Sequence, residues 1–521
     1  RHNRLEYFNP AANATVDGVS YTGAEVYVSG SNRSPFETNL RNFGPRLGFS
    51  WQPVNHLVLN GGGGIYYGPS PQMVGSASLN SDGFASYTTW NATAWNQDPN
   101  TIAYDCANEG VCGGEGNTVM LNSLSNPFPN GVVQPISSPT GLGNNLGISL
   151  NTMLHSQRTP TTYNFNFGFE YELPHQIVLS AAYVGSRGLF LPLGGVDLNQ
   201  LDLATIGKYQ SALLNDTVPN QWAAIQDPTN ANYGSSSVPL WVAVQPYPQF
   251  GNGSYGAGNG VNVHGYPGGD SDYSSLQIKL QKRLTHHFTT LSSFTWAKLI
   301  TDDGNPPLGF VGSHLGAPQD GRDMQFEHSV SPQDVKYQFT GSASYDLPVG
   351  RDRAIPLSGV MNAILGGWAT NGIFYWSTGI PIASPVVGAG TSYFNQRPDL
   401  TCDPGKGAPH TIATWFKPDC FAIPASPFVA GTAPAYLDHV RTMGAQDLDF
   451  SVYKEFPFGE ARQLRLEVSS YNVTNRPQFG MPNVPGITDV QTQPAEAALF
   501  GQITSTVNSP RQFQFGSRFT F

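Results

Sequence analysis

"TYNFNFGFEYEL", residues 162–173, decides how this chain is to be read. Tyr163, Phe165, Phe167, Phe169, Tyr171 and Leu173 take the odd positions, while Asn164, Asn166, Gly168, Glu170 and Glu172 take the even ones. Successive side chains of a strand point to opposite faces, so this segment has one greasy face and one wet face. "SLQIKLQKRL" (275–284) repeats the split, with Leu276, Ile278, Leu280 and Leu284 against Gln277, Lys279, Gln281 and Arg283. "DLDFSVYKEF" (447–456) does so again, with Leu448, Phe450, Val452 and Phe456 against Asp447, Asp449 and Ser451. About eleven such segments are expected, near 44–51, 57–67, 162–173, 177–191, 273–284, 288–300, 334–347, 367–380, 446–456, 463–473 and 511–521. Most are longer than the five or six residues usual in globular strands.

The connections between these segments alternate in length. Those at 52–56, 174–176, 285–287 and 457–462 are short, with 348–366 somewhat longer, whereas 68–161, 192–272, 301–333, 381–445 and 474–510 are long. A transmembrane β-barrel predicts this asymmetry, with short periplasmic turns, long extracellular loops and strands of about ten residues. A soluble sandwich has no reason to sort its loops this way. Tyr163 and Tyr171 stand eight residues apart on one face, roughly 26 Å along a strand. At a tilt near 40° that is about 20 Å of depth, which suits two aromatic belts around an apolar band. The fold class is therefore all-β, an antiparallel transmembrane barrel, with residues 1–43 a partial loop and strand region and 44–521 the barrel strands with their outer loops.

Composition agrees. Only 12% of residues are charged, about half the globular norm of roughly 25%. Lys and Arg number 26 against 36 Asp and Glu, a formal net charge of -10 with no basic tract, so nucleic acid is not an expected partner. No apolar run reaches the length of a transmembrane helix, and "RHNRLEYFNP" lacks the apolar centre of a secretion signal. Cys106 with Cys112, and Cys402 with Cys420, form two local pairs in long loops. Without CxxC or HExxH spacing they read as two disulfides in an oxidising compartment, with free thiols as the alternative, and neither metal nor cofactor is expected.

Once strands and loops are placed, the phrases "RNFGPRLGFSW", "GGGGIYYGP", "RTPTTYNFNFGFEYELP", "AYVGSRG", "SSFTWAKLITDD", "ILGGWATNGIFYWSTGIP", "NQRPDL", "WFKPDCFAIP", "DLDFSVYKEF", "YNVTNRPQFG" and "PRQFQFGSRFTF" follow one another from about Arg41 to Phe521. In that order they resemble the C-terminal barrel of Oar-like TonB-dependent outer-membrane receptors. The resemblance implies a bacterial outer-membrane protein, in contact with membrane lipid, whose lumen is filled by an N-terminal plug and whose transport is energised by TonB. Barrels of that kind have 22 strands, so the eleven segments correspond to a C-terminal half, and the chain is expected to be either a C-terminal fragment whose plug, TonB-contacting segment and signal lie upstream of Arg1, or a truncated gene product. The resemblance also implies that the closing aromatics Phe519 and Phe521 are read by the barrel-assembly machinery. The last strand is expected to have its outer edge open or paired with a neighbour foreign to the family, because its natural partner is a first strand beyond these residues.

No catalytic constellation is found. "GNGSYG" (251–256) places Gly251, Gly253 and Gly256 as GxGxxG, but prolines precede it and no helix can follow, so nucleotide binding is not expected. No GxSxG elbow occurs and the eleven histidines are scattered. Asp270 and Asp272, and Asp302 with Asp303, stand where strands meet outer loops; they read as turn residues and caps, with Ca²⁺ ligation as the alternative. Recognition is expected in the long loops. Trp90 and Trp95 in one, and Trp222 and Trp241 in another, are the candidate contacts for a glycan or peptide, against the alternative that such rings pack the loops on themselves. The expected function is a non-enzymatic receptor that binds and imports an extracellular ligand. A passive pore or surface adhesin, and a secreted carbohydrate-binding β protein, are the alternatives.

Overall fold

The computed structural model describes residues 5–30, 34, 36–68, 142–143, 146–147, 149–193, 196–223, 235–251, 260–263, 265–285, 287–302, 318–321, 323–351, 353–388, 396–458 and 462–521. The first element is a hairpin of β1 (Glu6–Val16) and β2 (Val19–Tyr27). Asp17 and Gly18 join them with φ of 51° and 82°, the left-handed pair that a two-residue hairpin turn requires.

Eleven long strands then form one antiparallel path: β3 (Arg46–Val54), β4 (Leu57–Tyr67), β5 (Thr161–Leu173), β6 (Ile177–Leu193), β7 (Tyr266–Thr285), β8 (Phe288–Thr301), β9 (Tyr337–Asp346), β10 (Trp368–Ser377), β11 (Gln446–Phe458), β12 (Arg462–Tyr471) and β13 (Gln512–Thr520). Each pairs with the next in sequence, and a two-residue strand, Ser329–Val330, adds to β8 to make twelve. All eleven expected segments are strands of this sheet. β13 pairs with β12 alone, so among the described residues its other edge is open, as is that of β3.

Register explains why alternation reads so clearly. Directly opposed residues share a face, so Phe49, Gly61, Phe167, Tyr183, Leu276, Trp296 and Tyr337 make one lateral row. Leu59, Phe169, Ala181, Ile278, Phe294, Phe339 and Trp376 make the next row on that face. The opposite face carries Asn60, Gly168, Ala182, Gln277, Thr295, Gln338 and Ser377, then Glu170, Ser180, Lys279, Ser293, Thr340, Tyr375 and Asp447. Phe167 is 56% exposed and Trp296 52%. In a soluble fold such rings would be covered; against lipid their exposure costs nothing, and the polar face is left for the lumen.

At one end of the sheet the connections 55–56, 174–176, 286–287 and 459–461 are two or three residues long; residue 286 and residues 459–461 lie outside the described residues. His56, His175 and His287 occupy positive φ there. The fifth connection at that end, 347–367, is longer and contains a helix, α1 (Gly359–Leu365). All the long connections leave from the other end. β6 and β7 are the longest strands and extend furthest towards it.

A candidate ligand-binding cap

The long connections fold onto one another with hydrophobic cores of their own. The β1–β2 hairpin supplies Phe8, Tyr21 and Ala24 to a core shared with Leu146, Leu150, Trp222, Phe250 and Val261. Phe8 meets Tyr247 edge-on with centroids 4.9 Å apart. Polar side chains tie the same body together. Gln249 Nε2 donates to the carbonyls of Thr22 and Gly23 at 2.9 and 2.8 Å. Asn199 bonds the backbone of Tyr247 in both directions at 2.8 Å, and Asp197 accepts from the N–H groups of Asn199 and Val261, also at 2.8 Å. Burial pushes the Tyr21 phenol up to about 12.

A second core joins connections 378–445 and 472–511 through Ile382, Trp415, Phe416, Phe421, Leu437 and Phe500. Phe416, Phe421 and Phe500 form a triangle with centroids 5.4 to 6.0 Å apart. The Cys402–Cys420 disulfide closes the strand pair beside it. Cys106 and Cys112 lie outside the described residues. A third core, built on Leu201, Ile206 and Leu213, has Trp241 and Phe428 packed against it and so links connection 194–265 to 378–445.

Two charged networks fasten the cap. Arg397, 1% exposed, donates to Glu327 Oε2 at 2.7 Å and to the carbonyls of Ala433 and Phe326, while Gln319 bonds the backbone of Arg397 and of Gly431. This is the Arg of "NQRPDL", and it joins connection 302–336 to 378–445. Nearer the sheet, Arg441 bridges Asp334 at 2.7 Å and Asp438 at 2.8 Å, and Asp438 accepts from Lys298 at 3.1 Å. Burial works against the Asp438 carboxylate, but the bonds from Arg441 and Lys298 prevail and hold it below the ordinary range. A cavity of about 400 Å³ beside this network is lined by Tyr183, Leu276, Trp296 and Lys298. These four share the apolar face, so the cavity belongs to the outer rim of the membrane side.

The polar face has its own pocket at the mouth of the sheet, of about 220 Å³, lined by Asp447, Asp449, Tyr471, Asn472, Asn508 and Gln512. Asn472 and Asn475 of "YNVTNRPQFG" stand at φ of 47° and 51°. Asn472 donates its N–H to Asp449 Oδ1 at 2.9 Å and its amide to Ser509 O at 3.0 Å, fixing the rim. Two carboxylates among amides suit a hydroxylated or cationic ligand group. The sequence placed Asp447 and Asp449 on the wet face, but alternation alone gave them no special role; what singles them out is the return of 508–512 beside them.

Of the tryptophans expected to meet a ligand, Trp222 is 4% exposed with its ring edge against Tyr21, and Trp241 is partly buried against the third core. Trp90 and Trp95 lie outside the described residues. Gly251 is described, and residues 252–256 of that glycine motif lie outside the described residues. Asp302 accepts from the Asp270 N–H, so these two act on each other across the strand ends; Asp303 is not described. Among the described residues no three His, Cys, Asp or Glu side chains are grouped as metal ligands. Phe519 and Phe521 end the chain with their rings stacked at 6.2 Å, both exposed.

No curated protein matches the chain. Among solved structures it is similar to the outer membrane transporter YddB from Escherichia coli, at 9% identity and a TM-score of 0.40, covering 96% of this chain and 42% of that one. It is also similar to the siderophore receptor PirA from Acinetobacter baumannii, at 10% identity and 0.38, covering 96% and 42%. For the ferripyoverdine receptor of Pseudomonas aeruginosa the values are 10% and 0.37, covering 96% and 34%. The chain thus spans well under half the length of these structures. The outer membrane beta barrel domain family matches residues 1–514, so the chain belongs to that family and is a protein of the bacterial outer membrane.

Proposed function

We propose that the intact protein is an Oar-like TonB-dependent receptor that binds an extracellular ligand at the cap and imports it with TonB-derived energy, without catalysing a reaction. The cap carries this reading: loops from one end of the sheet share three cores and two charged networks, while most turns at the other end are two or three residues long. A purely passive pore has no need of so much ordered chain above its mouth. The ordered phrases from Arg41 to Phe521 support the Oar-like assignment, with a plug and the TonB contact supplied from outside residues 1–521. Glycans and peptides are the proposed ligand classes. They would pass from the cap to the acceptor-rich pocket at Asp447 and Asp449, with Trp90 and Trp95 as further contacts. Phe519 and Phe521 are the proposed signal to the barrel-assembly machinery.

The test is accumulation by cells carrying the full-length gene, offered labelled oligosaccharides, peptides and ferric siderophores, with and without TonB. Uptake of one class that stops when TonB is removed is expected. Uptake indifferent to TonB would make the barrel a passive pore, and binding without uptake would make it an adhesin.

A further inference from the structure

The connection 347–367 departs from the tight turns beside it, and what it adds is apolar. Helix α1 has no buried residue. Val360 is 73% exposed and Ile364 57%, with Met361, Leu365 and the preceding Ile355 also open. These residues recur at the spacing of one helical stripe. Exposed greasy side chains on a seven-residue helix, about 10 Å long, would be a liability in water.

The helix is tethered to the membrane side of the sheet. Lys454 shares a face with Phe450, Val452 and Phe456, and lies opposite Trp368. A cation on the lipid face is costly unless it is paired. Lys454 is 5% exposed and donates to the carbonyls of Ile364 and Gly366, at the end of α1 where the helix dipole is negative. Trp368 Nε1 also donates to Ile364 O at 2.9 Å. The neck of the connection is fixed: Asn362 Oδ1 accepts from the Arg351 N–H at 2.7 Å, and a Cβ on Gly366 would stand 3.0 Å from Gly350 Cα. Arg351 itself is exposed beside this neck.

We propose that α1 and Ile355 form a membrane foot, embedded in the periplasmic leaflet of the outer membrane with phospholipid acyl chains as its occupant and Arg351 at headgroup level. Three observations choose lipid over a periplasmic protein. The helix is tied by its C-terminal carbonyls to Lys454 and Trp368, which are themselves on the lipid-facing side of the sheet, its apolar side chains are left uncovered by the rest of the chain, and a basic residue flanks an apolar stripe, as in helices that lie in an interface. The proposal is independent of the ligand and of TonB.

The test uses the full-length protein in proteoliposomes of phosphatidylethanolamine and phosphatidylglycerol, with a bimane fluorophore on Met361→Cys. Brominated acyl chains are expected to quench the probe several-fold more than aqueous iodide does. Adding Val360→Asp and Ile364→Asp should reverse that order while the protein still shifts on gels when boiled. Preferential quenching by iodide in the unaltered foot would overturn the assignment. So would shielding seen in native membranes but lost in purified proteoliposomes, which would make the occupant a protein.

Discussion

Arg397 Nη1 and Glu327 Oε2 lie 2.7 Å apart with 1% and 4% of their side chains exposed, the most deeply buried ion pair described in the molecule. It joins two loops that the sequence separates by some seventy residues. Removing one partner leaves the other charged and dry, which typically costs about 3–5 kcal/mol, whereas replacing both by apolar residues costs far less. Arg397→Met should therefore open the cap to trypsin added to intact cells, and Arg397→Met with Glu327→Leu should restore much of the resistance. Equal sensitivity of the single and double variants would show that the pair is not what holds the loops.

Trp222 separates packing from recognition. Its ring is enclosed with Tyr21, 5.7 Å between centroids. Trp222→Ala should cost about 3–5 kcal/mol of cap stability through the cavity it leaves, seen as faster loop proteolysis in the absence of any ligand. A ligand platform would behave oppositely, with proteolysis unchanged and only binding lost.

Phe167 tests the assignment of faces. It stands mid-strand between Gly61 and Tyr183 in an apolar row. Phe167→Arg should cost about 2–4 kcal/mol near the bilayer midplane and reduce the heat-shifted band in outer-membrane fractions, whereas Asn166→Arg, on the polar face, should assemble normally. Assembly of both to the same level would contradict the faces drawn here.

Asp302 gives a pH dependence. Burial raises its carboxyl above the ordinary 3.8, and the nearby Asp270 charge adds to this, although the Asp270 N–H opposes it. A carboxyl raised on folding stabilises most when protonated, and that contribution is lost as pH rises through the folded-state value. Asp302→Asn keeps the acceptor for Asp270 without the buried charge. Its unfolding midpoint in detergent should exceed that of the parent at pH 7, and the difference should vanish as the pH is taken below 3.8. A lower midpoint at pH 7 would mean that the ionised form is the stabilising one.

The strands were legible because each face meets a different solvent. In β5 the change from an apolar side chain to a polar residue or glycine at successive positions from Tyr163 to Leu173 survives into the register, and nothing in tertiary packing has to be known to see it. The β1–β2 hairpin was harder to isolate, although Asp17–Gly18 is a strong turn signal, because the face that β1 buries is made largely of small residues such as Ala12 and Ala14, and in β2 the consecutive residues Gly23, Ala24 and Glu25 are buried so that its alternation is lost. The pairing of Arg397 with Glu327, and of Arg441 with Asp334, was not legible at all. Such bonds join residues far apart in sequence, whose separation carries no periodicity. Nor does alternation single out α1, since a short apolar helix reads like any buried segment until the structure leaves it uncovered.

The length of β7 has a consequence for what the cell presents to its surroundings. Twenty residues at about 3.3 Å each are roughly 66 Å of strand, or some 50 Å of height at a tilt near 40°. A bilayer with its headgroups is about 40–45 Å thick. The paired strands β6 and β7 therefore work as a mast: they carry the cap clear of the lipid surface, where an antibody or a phage tail on a living cell would meet the folded loops before it met the membrane.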